Sequence, residues 1–336
     1  MKKSIDFPEI LSEYLTKYLP LRQGASVNTI KSYRDGFKIF LRYCRDTTGI
    51  RTENFRMKHF TRKLVNDYLL WLEESEGCGI STANHRLSTI QAFMKFIAVE
   101  YPEFLDVCTV ILTIKAKSAP ERAMDYLHID ELKVIFAQPS AKAKDGLRDI
   151  AILALLYDSG ARVQELIDIC AGDIRVLKPA TVTLTGKGDK TRIVPIVEDT
   201  ARILKNYLSS QDPKTPQEPL FTNLGGHKLS RSGIEYIISK YVDMAVADVK
   251  ALAHRKITPH TFRHSKAMHL VQAGVNIIYI RDILGHVSVQ TTERYAKADS
   301  KAKREALEAA SRNILPKSKY RKSQKQDLID WLEHIV

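Results

Sequence analysis

Between Asn28 and Cys44 the apolar residues Ile30, Tyr33, Phe37, Phe40, Leu41 and Cys44 recur at three- and four-residue intervals. That spacing predicts a helix with one buried stripe. Leu64, Val65, Tyr68, Leu69 and Leu72 mark a second helix. A third opens at about Ser81, a suitable N-cap, and buries Leu87, Ile90, Phe93, Met94 and Ile97. Single stripes of this kind are hidden by packing against one another, so residues 1–114 read as a bundle of about four helices.

The pattern breaks at Lys115-Ala116-Lys117-Ser118-Ala119-Pro120-Glu121-Arg122, where a proline, small residues and positive charges predict an extended basic linker over 115–124. A helix is expected at Ile129 to Ala137, with Asp130 and Glu131 near its N-terminus, where the helix dipole favours anions. The apolar helix Asp149 to Tyr157 has to be a core element. Ser159-Gly160 turns the chain into a further helix carrying Arg162 and Glu165. The period then falls to two. Thr181 to Thr185 and Thr191 to Ile196 flank Gly186-Lys187-Gly188-Asp189-Lys190, which reads as a hairpin. Helical patterning returns and runs to about Ala309.

The expected fold class is therefore mainly α with a small antiparallel β-sheet. An N-terminal helical domain over 1–114 and the linker 115–124 precede an α+β domain over 125–312 and a tail over 313–336. The tail is basic at Lys317, Lys319, Arg321, Lys322 and Lys325, and closes on one amphipathic set, Leu328, Ile329, Trp331, Leu332 and Ile335.

Composition narrows the partner. The 336 residues suffice for two domains with their own cores, and 44% hydrophobic with 27% charged residues is a globular balance. The formal net charge of +13 points to a polyanion, nucleic acid before an acidic membrane face. Lys31, Arg34, Lys38 and Arg42 share one face of the first helix and, with Arg86, Lys115 and Lys117, are candidates for tracking phosphates. The most apolar run, Ile150 to Tyr157, is too short to span a bilayer, and Met1 to Asp6 carries no apolar signal region. Cys44, Cys78, Cys108 and Cys170 form no C-x-x-C pair. Reduced thiols in a cytoplasmic protein, associated with the nucleoid, are the expectation.

The chemistry gathers around Tyr295, which follows Arg162, Lys187, His260, Arg263 and His286 in the chain. A phosphodiester under attack accumulates charge on its non-bridging oxygens, and that charge must be met by fixed donors or metal ions. Arg162 and Arg263 offer planar N–H forks that match phosphate geometry. His260 and His286 can donate or shuttle protons near neutral pH. A tyrosine, with an ordinary pKa of about 10, attacks only if cations or a base assist it, and His260 is the candidate base. Glu165, one turn beyond Arg162, would orient a basic neighbour.

Two decoys fall away. Gly186 to Thr191 resembles the end of a P-loop, but Asp189 precedes Lys190 and the context is strand–turn–strand. His260 and His264 stand four apart as in zinc helices, yet no glutamate follows the first, and Pro259 places His260 at a helix start. His264 reads as structural, and neither metal nor cofactor is expected.

Tyr157 to Leu166, Thr185 to Arg192, His260 to His264 and Leu284-Gly285-His286 through Thr291-Thr292-Glu293-Arg294-Tyr295 together resemble the tyrosine recombinase, or phage integrase, family. The resemblance implies a core-binding domain followed by a catalytic domain. It also implies a Tyr295 nucleophile that becomes joined to a 3′ phosphate, and a Lys187 that protonates the leaving 5′ oxygen. Its implied partner is double-stranded DNA with specific recombination sites, bound by a homotetramer that exchanges C-terminal helices. The expected function is site-specific recombination for integration, excision or transposition of a mobile element. Rival readings are an Xer-like resolvase of chromosome or plasmid multimers, a topoisomerase, a non-catalytic DNA-binding accessory protein and a helical RNA-binding protein.

Overall fold

Caps and stripes set the helices of the computed structural model, which describes residues 6–119, 125–140, 143, 145–186, 188–212, 214–286 and 288–298. The chain divides into two units, residues 1–122 and 123–336.

In the first unit, α1 (Phe7–Glu13) starts at Asp6 and continues as a π-helical stretch, Tyr14–Arg22. The Asp6 carboxylate accepts from Phe7 N at 2.7 Å and from Met57 N at 2.8 Å, which pins the helix start to a distant turn. α2 (Val27–Thr48) is capped by Ser26 and stops at Gly49, whose φ of 72° is the left-handed conformation that glycine adopts most readily. α3 (Arg62–Glu74) is capped by Thr61. α4 (Ile80–Glu100) and α5 (Leu105–Leu112) complete the unit. Ser81, read from the sequence as the cap of α4, lies inside its first turn. Gly79 holds the cap position, and its carbonyl accepts from Thr82 N at 2.8 Å and Ala83 N at 3.2 Å, so the turn closes without a capping side chain.

The stripe of α2 meets the core through Phe37, Phe40 and Cys44, which are buried. Phe93 of α4 lies at the centre, its ring 5.0 Å from Phe37, 5.1 Å from Tyr14 and 5.9 Å from Phe7. Burial in this core pushes the Cys44 thiol up to about 12, so it behaves as a small apolar group.

In the second unit, α6 (Ile129–Ala137), α7 (Gly146–Ser159) and α8 (Val163–Asp168) precede β1 (Ile174–Arg175), β2 (Thr181–Thr185) and β3 (Thr191–Pro195). Among the described residues these strands form one antiparallel sheet in the order β1-β2-β3, with Val182 opposite Val194 and Leu184 opposite Arg192. α9 (Glu198–Ser209), α10 (Arg231–Ala245), α11 (Pro259–Gln272), α12 (Ile277–Leu284) and α13 (Gln290–Ala298) follow. α7 is the central helix, buried from Ala151 to Leu156 and packed on α9 and α11. Its two buried carboxylates are satisfied. Asp149 accepts from Arg148 and from the Tyr241 hydroxyl, and Asp158 accepts from Lys266 Nζ at 2.9 Å and Val197 N at 2.7 Å. Among the described residues no helix is long and apolar enough to cross a membrane.

Phe93→Ala removes a fully buried ring with close aromatic neighbours. The first unit is expected to lose about 3–5 kcal/mol. Calorimetry of the full chain should show its transition moved down while that of the second unit stays in place.

Candidate active site

α7 ends at Gly160 with φ 58°, and a Cβ there would stand 2.7 Å from Leu284 Cδ2. Only glycine suits both the conformation and the approach of α12. The reversal delivers Arg162 to the cap position of α8. Glu165, on the first turn of that helix, accepts from Arg162 N at 2.9 Å through Oε2 and from Arg162 Nη1 at 2.7 Å through Oε1. Arg192 enters from β3 and donates to the same carboxylate, Nη1 to Oε1 at 3.1 Å and Nη2 to Oε2 at 2.7 Å.

The end of α12 lies against these groups. The last carbonyls of a helix have no partner within it and carry partial negative charge, so cations are favoured there. Three consecutive carbonyls each receive a different arginine. Arg192 Nε donates to Ile283 O at 2.9 Å, Arg263 Nη2 to Leu284 O at 2.6 Å and Arg162 Nη2 to Gly285 O at 3.0 Å. Arg263, 3% exposed on α11, also donates from Nη1 to Gly160 O at 2.6 Å. The Arg162 side chain is 40% exposed, so part of its fork faces solvent.

Charge states follow from this packing. Burial raises the Glu165 carboxyl, but hydrogen bonds from Arg192, the Arg162 backbone N–H and the Arg162 side chain outweigh it and hold the group at about 2. Burial, and then the positive charge of Arg162, lower Arg263 to about 10, which leaves it cationic at neutral pH.

Tyr295 sits on α13, 1% exposed. Its phenol oxygen is 2.8 Å from His264 Nδ1. The His286 ring lies parallel to the Tyr295 ring at 6.3 Å, and His286 Nδ1 is 2.9 Å from Thr292 Oγ1. His260 stacks on His264 at 6.1 Å. Two imidazoles thus lie against one tyrosine, with a third stacked on the first, and α11 supplies His260, His264 and Arg263. The ring at hydrogen-bond distance from the phenol is that of His264, a residue that reads as structural in the sequence. The signal in the sequence is the four-residue interval from His260 to His264, which sets both imidazoles on one face of one helix.

The structure therefore brings together Arg162, Glu165, Arg263 and the Gly285-His286 loop, places His260 and Tyr295 against His264, and sets His286 parallel to the Tyr295 ring. Arg192 belongs to the same cluster and was not singled out in the sequence. Lys187 and the amphipathic set of the tail, Leu328 to Ile335, lie outside the described residues. On either side of Lys187 the hairpin closes through Gly186 N donating to Lys190 O at 2.9 Å. Among the described residues, no group of three His, Cys, Asp or Glu side chains could hold a metal ion.

In the first unit Lys31, Lys38 and Lys115 are exposed. Arg34 pairs with Asp35, and Arg42 pairs with Glu76 and lies over the Trp71 ring. Lys117 pairs with Glu73. Such surface pairs are worth at most about 1 kcal/mol and would exchange readily for phosphate. Arg86 is half-buried and turns toward the α2–α4 crossing, its Nη1 3.6 Å from where a Cβ on Gly36 would stand.

The phage integrase family matches residues 125–302, and the N-terminal SAM-like domain of phage integrases matches residues 12–100. The chain is 30% identical over 311 residues to the putative integrase/recombinase y4rC of Sinorhizobium fredii, covering 93% of each chain. It is 32% identical to the tyrosine recombinase XerD of Staphylococcus epidermidis, over 85% of this chain and 92% of that one. Among solved structures, the XerH site-specific recombinase bound to palindromic difH substrate in a post-cleavage complex has a TM-score of 0.66 at 20% identity, over 88% of this chain and 84% of that one, a likeness of fold.

The depressed Glu165 carboxyl predicts a pH signature. A carboxylate held below its ordinary 4.5 in the folded protein contributes stability above that value, and loses it as pH falls toward about 2. Glu165→Gln is expected to cost roughly 3 kcal/mol at pH 7. Denaturant titrations at a series of pH values should show wild type and variant converging below pH about 4.5.

Proposed function

The chain belongs to the phage integrase family of tyrosine recombinases, enzymes of DNA strand breakage and rejoining, and from that premise we propose that Tyr295 is the nucleophile of a recombination between two specific DNA sites. The observation that carries this reading is the placement of the phenol on a row of imidazoles borne partly by α11, the helix that also bears Arg263.

In the proposed reaction the scissile phosphate docks on the Arg162 and Arg263 forks, which oppose the charge that grows on its non-bridging oxygens. The Tyr295 oxygen attacks phosphorus as its proton passes to an imidazole, and His264 Nδ1 is at hydrogen-bond distance to take it. His260, one turn away, lies next to it to relay that proton. His286 and Lys187 are assigned to the other side of the reaction, His286 as a donor to the phosphate and Lys187 as the acid for the leaving 5′ oxygen. The bond to O5′ breaks, the 3′ phosphate remains on Tyr295, and the 5′ hydroxyl of a second duplex reverses the step. Because the ring is buried, the phenol must become exposed for a phosphate to reach it, so DNA binding and that exposure are coupled.

Lys31, Arg34, Lys38, Arg42, Arg86, Lys115 and Lys117 are assigned to the DNA backbone, and a homotetramer joined through the C-terminal helix to the synapse of two duplexes. We assign the chain to integration or excision of a mobile element, supported by its mutual 93% coverage with a putative integrase/recombinase. A second reading, resolution of chromosome or plasmid multimers, is supported by the 32% identity to XerD.

A nicked duplex carrying a site selected by binding, offered in EDTA, should trap a protein–DNA adduct that survives denaturation. Tyr295→Phe is expected to abolish the adduct while keeping salt-sensitive binding. An adduct persisting in that variant assigns the nucleophile elsewhere. Deleting residues after Lys319 should reduce tetramer assembly in gel shifts at unchanged monomer binding, and unaltered assembly rejects the exchange.

A further inference from the structure

β3 breaks the rule that apolar residues face inward. Ile193 is 69% exposed, while the Arg192 side chain is only 13% exposed. Arg192 lies opposite Leu184, which is fully buried, and cross-strand partners share a face. The inward row of this strand pair is thus Val182, Leu184, Val194 and one guanidinium. Burying that cation is costly unless it is paired and hydrogen-bonded. All three of its nitrogens are engaged, Nε on Ile283 O and both Nη atoms on the two oxygens of Glu165. Local violations of this kind are expected where a position serves function as well as packing.

Its contacts indicate what that is. The carboxylate it grips is the one that orients Arg162, and the carbonyl it holds lies three residues before His286. A Cβ on Gly285 would stand 2.8 Å from Arg192 Nη1 and 2.9 Å from Cζ. The guanidinium therefore lies directly beneath the peptide that leads into His286, and Gly285, at φ 63°, leaves it the room. Strand, carboxylate and helix end meet on this one side chain.

We propose that Arg192 is a positioning residue for strand cleavage: it locks Glu165 and the end of α12 so that the Arg162 fork is presented to the scissile phosphate in a fixed orientation. Arg192 acts through Arg162 and makes no contact with the reacting atoms. The proposal rests on the reading of Tyr295 as nucleophile and of Arg162 as a phosphate donor. Lysine replaces Arg192 only in part, because an ammonium cannot span both carboxylate oxygens and reach the Ile283 carbonyl together.

The test compares single-turnover adduct formation on two nicked duplexes, one with the native scissile phosphodiester and one with a neutral methylphosphonate there, where less charge develops for the arginine fork to meet. Arg192→Gln is expected to form adduct about 100-fold more slowly on the phosphodiester, as a misplaced donor costs, at unchanged DNA affinity. On the methylphosphonate the deficit should shrink to less than about 10-fold, following Arg162→Ala, since there is less charge for a displaced fork to miss. Arg192→Lys should fall between wild type and Arg192→Gln on the phosphodiester, and it serves as the comparison if Arg192→Gln does not fold. Equal slowing on both linkages, or a wild-type rate in the two variants, overturns the proposal and leaves Arg192 as a packing residue. Absence of an adduct from wild type, or its persistence in Tyr295→Phe, instead overturns the assignment of function on which the proposal stands.

Discussion

The catalytic unit is organised by one buried carboxylate between two guanidinium groups. Glu165 alone could not remain ionised at 4% exposure, and Arg192 alone could not face inward beside Leu184. Together, with Arg162 on the same oxygens, they form a network whose hydrogen bonds outweigh the cost of desolvation. The end of α12 completes it. Carbonyls that the helix cannot satisfy itself are met by three arginines, so an element that would fray is fixed at the point where the chain turns into His286.

This arrangement unites preorganisation with charge. Arg162 and Arg263 repel one another, and Arg263 is lowered partly for that reason. What keeps them close in the absence of DNA is the set of partial and full negative charges behind them: Glu165, Gly160 O, Leu284 O and Gly285 O. The partly exposed fork of Arg162 is thereby left with surplus positive charge on its outer side, which suits a phosphate. The proposed nucleophile is held differently. Tyr295 is enclosed among imidazoles, and both its burial and its contact with His264 belong to the protein without DNA.

Much of this was legible along the chain, for reasons that differ by element. The α2 stripe and the hairpin declared themselves because periodicity reports directly on burial of one face. α4 was found but its cap was misplaced, since a backbone-closed turn at Gly79 leaves no side-chain mark. Arg162, Arg263, His286 and Tyr295 were singled out by motif, in segments far apart in the chain. Arg192 carries no such mark, and His264 reads as structural. An arginine in a strand of alternating pattern reads as an outward residue, and a histidine behind a recognised motif reads as filler.

By itself the sequence determined the helical character, the antiparallel hairpin, the basic balance and the order in which the reactive groups appear. Those properties are local, or sums over residues, and need no knowledge of what meets what. The tertiary structure alone decided that His264 touches the phenol, which way β3 faces, and that three arginines end on one helix. These are consequences of long-range packing. Ile193 faces outward only because Glu165 and the Ile283 carbonyl, 27 and 91 residues from Arg192 along the chain, offer that guanidinium a better place than solvent does.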